Sequence, residues 1–179
     1  MRNEVRDIYL SANKNKKLYL FDNIPPKIMA NARKSYASAL NEGHESVLLL
    51  YDDTFFGSGK DGFILTTKHI YYRNIAESPL RITVDSIIDL DADTRLVSGK
   101  IFVDTDDGDT HIIQIAADDK QALFDVFERT ILLMTDIYKE KNEEDEDRQT
   151  AASGPRLCHG CGAKNITKAK RCEYCDSPL

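Results

Sequence analysis

The chain has 179 residues, 41% of them hydrophobic and 30% charged, with no Trp, which allows one full domain and a small appendage. Its formal net charge of −6 argues against a chain built throughout to cover a polyanion, and no apolar run reaches the roughly twenty residues of a membrane-spanning helix. Arg2, Glu4, Arg6 and Asp7 leave no apolar core for a secretory leader, and cysteines confined to a metal-type pattern suit a reducing compartment, so a cytoplasmic protein is expected.

In chain order, Val5, Ile8 and Tyr9 are spaced for a short helix, and Leu18–Phe21 reads as a strand or a packing arm. Pro25-Pro26 opens a helix expected to run to about Leu40, where Asn41 and Gly43 supply a stop. Ile28, Ala32, Tyr36 and Ala39 or Leu40 give it one apolar face, which packs on the following domain or receives a partner.

From Glu45 the pattern becomes that of strands. Ser46–Tyr51, Phe63–Thr66, Ile70–Arg73, Leu80–Val84, Ile87–Leu90, Lys100–Asp104 and Thr110–Ile115 are seven short candidates, with Asp107-Gly108 a hairpin signal between the last two. A sheet bent into a small barrel or sandwich follows. Ala122, Leu123, Val126, Phe127, Thr130, Ile131, Met134 and Ile137 then repeat at three-and-four spacing, a helix of about twenty residues that would cover the barrel mouth.

The stretch Gly62-Phe63-Ile64-Leu65-Thr66-Thr67-Lys68-His69-Ile70-Tyr71-Tyr72-Arg73-Asn74, followed by 79–90, resembles a bacterial pleckstrin-homology-like (PH-like) domain over about residues 44–138. The resemblance implies a seven-stranded antiparallel barrel capped by a C-terminal helix, serving as a binding scaffold. The loop that holds inositol phosphates in some eukaryotic PH domains corresponds to Asp52–Gly62, where Asp52, Asp53 and Asp61 stand against Lys60 alone, so phosphoinositide binding is not expected. Phe55 and Phe56 in that loop are candidates for a protein contact or for closing the barrel's end.

Residues 140–155 are charged and then small and polar, with too little apolar surface to pack, and read as an acidic flexible linker. Beyond it stand all four cysteines, as Cys158-His159-Gly160-Cys161 and Cys172-Glu173-Tyr174-Cys175. Two residues between thiols let one turn aim both sulfurs at one ion, and four thiolates close a tetrahedral zinc shell. One structural Zn²⁺ is therefore expected on Cys158, Cys161, Cys172 and Cys175, with His159 a bystander. The last 25 or so residues resemble zinc ribbons, a class known in nucleic-acid contacts, protein docking and purely structural roles. Lys164, Lys168, Lys170 and Arg171 cluster between the pairs; they offset the zinc–thiolate charge or contact nucleic acid.

Other patterns are weaker. Gly57-Ser58-Gly59-Lys60 lacks the following hydroxyl residue and helix of a phosphate loop. Asp89-x-Asp91-x-Asp93 has Thr94 in place of the glycine of a calcium loop, Asp104-x-Asp106-Asp107-Gly108 has its glycine one position early, and both lack the terminal carboxylate, so they read as acidic turns at strand ends. No nucleophile has an identifiable base. The expected architecture is α+β: an N-terminal helical extension (1–43), a PH-like barrel with its helix (44–139), the linker (140–155) and a zinc ribbon (156–179). The expected role is that of a non-enzymatic adaptor with a protein partner, nucleic-acid binding through the basic loop being the alternative. Sequence leaves the oligomeric state open.

Overall fold

The computed structural model describes residues 1–95, 98–135, 156–165 and 170–178. They divide between two compact units, Met1–Asp136 and Ile137–Leu179. The first unit is mixed α+β: α1 (Arg2–Ala12), β1 (Leu18–Leu20), α2 (Pro26–Ser35), β2 (Val47–Asp52), β3 (Gly62–Thr66), β4 (His69–Arg73), β5 (Leu80–Thr83), a 3₁₀ turn (Val84–Ser86), β6 (Ile87–Asp93), β7 (Gly99–Thr105), β8 (Thr110–Ile115) and α3 (120–135). Strands β1 to β5 form one antiparallel sheet in sequence order, and β6 to β8 form another.

All six residues of β2 are buried, so both faces of its sheet are covered. Alternation sends Leu50 to one face, opposite Ile64, where Val47 and Tyr71 join Ile28 and Ala32 of α2 in one apolar cluster. Tyr51 and its partner Phe63 point the other way, and the Phe63 ring meets Phe127 of α3 edge-on at 5.1 Å. The expected stripe of α3 is buried from Ala122 to Met134, whereas Ile137 lies outside the described residues. Each large side chain so covered contributes about 1.5–3 kcal/mol.

The N-terminal stretch belongs to this core. β1 pairs with β2, placing Leu18 opposite Tyr51 and Leu20 opposite Leu49. Helix α2 starts as expected, with proline in its first turn, but stops at Ser35 rather than near Leu40. The amides of Tyr36 and Ala37 both bond to Ala32 O, and the chain turns so that Tyr36, Ala37 and Leu40 are buried from a loop. Their three-and-four spacing suited a helix; the packing needs only their side chains.

The expected closed barrel is not formed, because the two sheets remain separate ladders. Side chains bridge the seam instead. Asn74, 5% exposed, donates from Nδ2 to Ile112 O (2.9 Å) and accepts the Gln114 amide on Oδ1 (2.9 Å), standing in for a strand neighbour of β8. Asp53 Oδ1 takes the Ala116 amide at 2.7 Å, and Tyr72 OH lies 3.3 Å from His111 Nδ1.

A second correction concerns Asp89, Asp91 and Asp93. They lie within β6, which continues past Leu90 to Asp93, so these alternate residues share one face instead of forming a turn. Asp107-Gly108 does make the β7–β8 turn, where Gly108 has φ +89° and donates to Thr105 O. Gly62, at φ +125°, is required by close approach: a Cβ there would stand 2.1 Å from Tyr51 O.

The seam gives the first expected outcome. Asn74→Ala leaves the Gln114 amide and Ile112 carbonyl without their partner, at a cost of about 2–4 kcal/mol. A urea midpoint within error of the wild type would show that these bonds do not hold the sheets together.

Candidate metal centre and exposed contact residues

The second unit is built from one local motif used twice. In the first knuckle the Cys158 amide donates to Ala163 O (2.9 Å) and the Gly162 amide to Cys158 O (2.8 Å). In the second, Cys172 N donates to Ser177 O (2.8 Å) and Asp176 N to Cys172 O (2.9 Å). The fourth residue after each leading cysteine is left-handed, Gly162 at φ +73° and Asp176 at φ +57°. Glycine is free there, and Asp is among the few side chains that tolerate the region. Strands β9 (Arg156–Leu157) and β10 (Lys164–Asn165) pair across the first knuckle, and an Arg171–Pro178 bridge closes the second.

This repeat brings the four sulfurs to within 4.8 Å of one another. Cys158 and Cys175 Sγ are 3.5 Å apart, as are Cys161 and Cys172 Sγ. A disulfide needs about 2.05 Å, whereas thiolates about 2.3 Å from a common ion stand about 3.8 Å apart in a tetrahedron. The four side chains therefore fit a shared metal ion, and the spacing is compatible with zinc. The Gly160 and Tyr174 amides point at Cys158 Sγ and Cys172 Sγ (3.3 and 3.4 Å), so backbone dipoles offset thiolate charge. Cys158 and Cys172 are buried and Cys161 and Cys175 exposed, which puts one sulfur of each pair toward solvent. Four sulfurs fill a tetrahedral shell and leave no coordination position for a substrate.

His159 is exposed, and a shell of four cysteine sulfurs does not require it. Lys164, Lys170 and Arg171 are exposed, and Arg171 Nη1 is held by Asp176 Oδ2 at 2.9 Å, so its charge is engaged within the second knuckle. Lys168 and the expected acidic linker of 140–155 lie outside the described residues.

In the first unit, Phe55 and Phe56 are 86% and 91% exposed, with their rings edge to face at 4.9 Å. Neither closes the sheet's end. The loop carrying them is pinned: Asp52 Oδ1 accepts the Thr54 amide, Asn31 Nδ2 donates to Ser58 O, Ser35 Oγ to Lys60 O, and Lys17 Nζ to Thr54 O. Gly59 packs on Ile28 too closely for a side chain. The glycine-rich stretch leads into β3 and not into a helix, so no phosphate cradle is formed. Its acids are turned inward: Asp52 is fully buried, Asp53 is bonded to Tyr51 OH, and Asp61 pairs with Arg73 Nε at 3.3 Å. Formal charge counted along the loop therefore misstates its surface.

Sequence reasoning also missed Glu45, a buried carboxylate that accepts from Thr66 Oγ1, from Tyr71 OH (2.7 Å) and from the Asn41 amide, with His69 Nδ1 3.0 Å away. A cleft lined in part by Arg2, Phe21 and Ser46 opens beside it. Burial works to raise the Glu45 carboxyl, but the bonds from Thr66, Tyr71 and His69 together outweigh it and hold the group below its ordinary value. Tyr71 is pushed up to about 12 by burial first and then by Glu45. The cluster fastens the chain before β2 to the β3–β4 hairpin. No local sequence pattern signals it, since Glu45 and His69 meet only through sheet register.

A carboxyl with a lowered folded pKa stabilises the fold when ionised, and that contribution is lost as pH falls through the folded value. Glu45→Gln is accordingly expected to flatten the fall in urea midpoint below about pH 4.5, the ordinary value for this group. Identical pH slopes for the two proteins would contradict the assignment. At the metal centre, Cys172→Ser is expected to lower zinc from about one ion per chain to well under half, by colorimetric zinc release. Asp176→Gly should retain the metal while Asp176→Val weakens it, because only the former accepts the left-handed backbone. Equal metal content in all three would show that the knuckles do not form the site. Comparison of the chain with protein-family models, curated proteins and solved structures finds no match.

Proposed function

We propose that this protein is a non-enzymatic interaction module, a cytoplasmic adaptor with a PH-like scaffold and a zinc ribbon whose single Zn²⁺ is structural. The observation that carries the reading is the Phe55–Phe56 pair, two aromatic rings almost fully exposed on a loop fastened at several points. Exposed aromatics on a rigid support make strong protein contacts, because little side-chain entropy is lost on binding. The order of β2 to β8 followed by α3 supports the PH-like reading. The four-sulfur set supports a structural metal, since a filled shell cannot activate water. No helix among the described residues is long and apolar enough to cross a membrane.

Nucleic-acid binding by the ribbon is the rival reading, and it is weakened by the engagement of Arg171 with Asp176. The two readings separate in one experiment. Random peptides displayed against the zinc-loaded chain should yield binders at least tenfold tighter for the wild type than for a Phe55→Ala/Phe56→Ala variant. Peptides that bind both equally would remove Phe55 and Phe56 from the contact. Salt-dependent DNA or RNA binding, lost on neutralising Lys164 and Lys170, would replace the adaptor with the rival.

A further inference from the structure

Two faces of the first unit are opposite in charge, and each has an apolar centre. The first surrounds Phe55 and Phe56. With Asp52 and Asp53 buried and Asp61 paired to Arg73, the loop's own outward charge is basic, while exposed Asp118 lines the cleft beside Lys16 and Lys17. Lys60 is exposed on the loop itself, and Lys17 Nζ sits 2.6 Å from Thr54 O, one peptide from Phe55. Helix α2, which touches the loop through Asn31 and Ile28, carries exposed Lys27 and Lys34 and no acidic residue.

The second is one face of the β6–β8 sheet. Register sets Asp89 opposite Asp104, Asp91 opposite Phe102, and Phe102 opposite Ile112, which is 38% exposed. Asp93 is matched by Arg95 and stands opposite Lys100 on the same face, but no Lys or Arg among the described residues forms an ion pair with Asp89, Asp91 or Asp104. Asp104 Oδ1 accepts the Thr110 hydroxyl at 2.6 Å. Neighbouring carboxylates on one sheet face repel, and Asp89 and Asp104 stand directly opposite each other, so the face keeps a net negative charge beside Lys100.

We propose that the chain self-associates head to tail, the basic Phe55–Phe56 tip of one copy seating on the acidic β6–β8 face of the next. The inference rests on the reading of Phe55 and Phe56 as a contact. Phe56 meets Phe102 and Ile112 while Lys60 meets the carboxylates, so each face supplies what the other lacks. The two patches differ, so the contact is heterologous and one copy leaves both a free tip and a free face. Growth proceeds beyond a dimer.

Sedimentation velocity of the full-length zinc-loaded chain from about 2 to 200 µM, at low salt and at about 500 mM salt, tests this. The weight-average sedimentation coefficient should climb with concentration at low salt and revert at high salt. Phe56→Ala, Lys60→Glu and Asp91→Lys, all at exposed sites, should each weaken association about tenfold. Mixing Lys60→Glu with Asp91→Lys protein, or combining both changes in one chain, should restore it. A monomer throughout, or association indifferent to all three substitutions, overturns the proposal. A monomeric chain that still yields Phe56-dependent peptides would overturn self-association alone and leave the adaptor reading intact.

Discussion

A strand buried on both faces needs two covers, and β2 is such a strand. That requirement organises the first unit. Leu50 and Val47 face α2, Tyr51 with Phe63 faces α3, and the remaining edge of β2 is occupied by β1. The first forty residues are consequently part of the core. The same constraint shapes the loop leaving β2. Its carboxylates are turned inward: Asp52 Oδ1 is held by Thr54, Asp53 Oδ1 by Tyr51 and the Ala116 amide, and Asp61 pairs with Arg73, while the buried Asp52 Oδ2 has no hydrogen-bond partner among the described residues. The Phe55 and Phe56 rings of the same loop stand in solvent.

The second unit solves a different problem. Leu157, Ala163, Tyr174 and the few other apolar residues of the tail cannot bury enough surface to fix a fold, and Leu157 and Tyr174 are exposed. Convergence of four sulfurs replaces a core. Each knuckle brings two of them into place through the same pair of backbone hydrogen bonds and one left-handed residue. The Gly160 and Tyr174 amides point at the leading sulfur of each knuckle, where they would offset thiolate charge.

What was legible in the sequence was local. The seven strands announced themselves as short β-branched and aromatic runs, and the thiol spacing carries its own geometry. What was lost depended on partners distant in the chain. The end of α2 was misplaced because Tyr36 and Leu40 keep helical spacing while packing from a turn. Aspartates are poor strand formers, so Asp91 and Asp93 read as a turn, although pairing with β7 carries them in the ladder. The two sheets stay separate, and Asn74, a residue with no periodic signature, reaches the edge of β8 from a side chain. Charge counting failed at Asp52 and Asp53 for a similar reason, since a linear count assigns every carboxylate to the surface.

The central claim is that metal ligation by four cysteines organises the C-terminal unit. A titration of zinc into the metal-free, reduced full-length chain, followed by amide NMR, tests it directly. The amides of Gly160, Gly162, Tyr174 and Asp176 should move from the crowded region typical of unfolded chain to dispersed positions, complete at one ion per chain. Dispersed signals for these residues before any metal is added, or signals unchanged by it, would contradict the account.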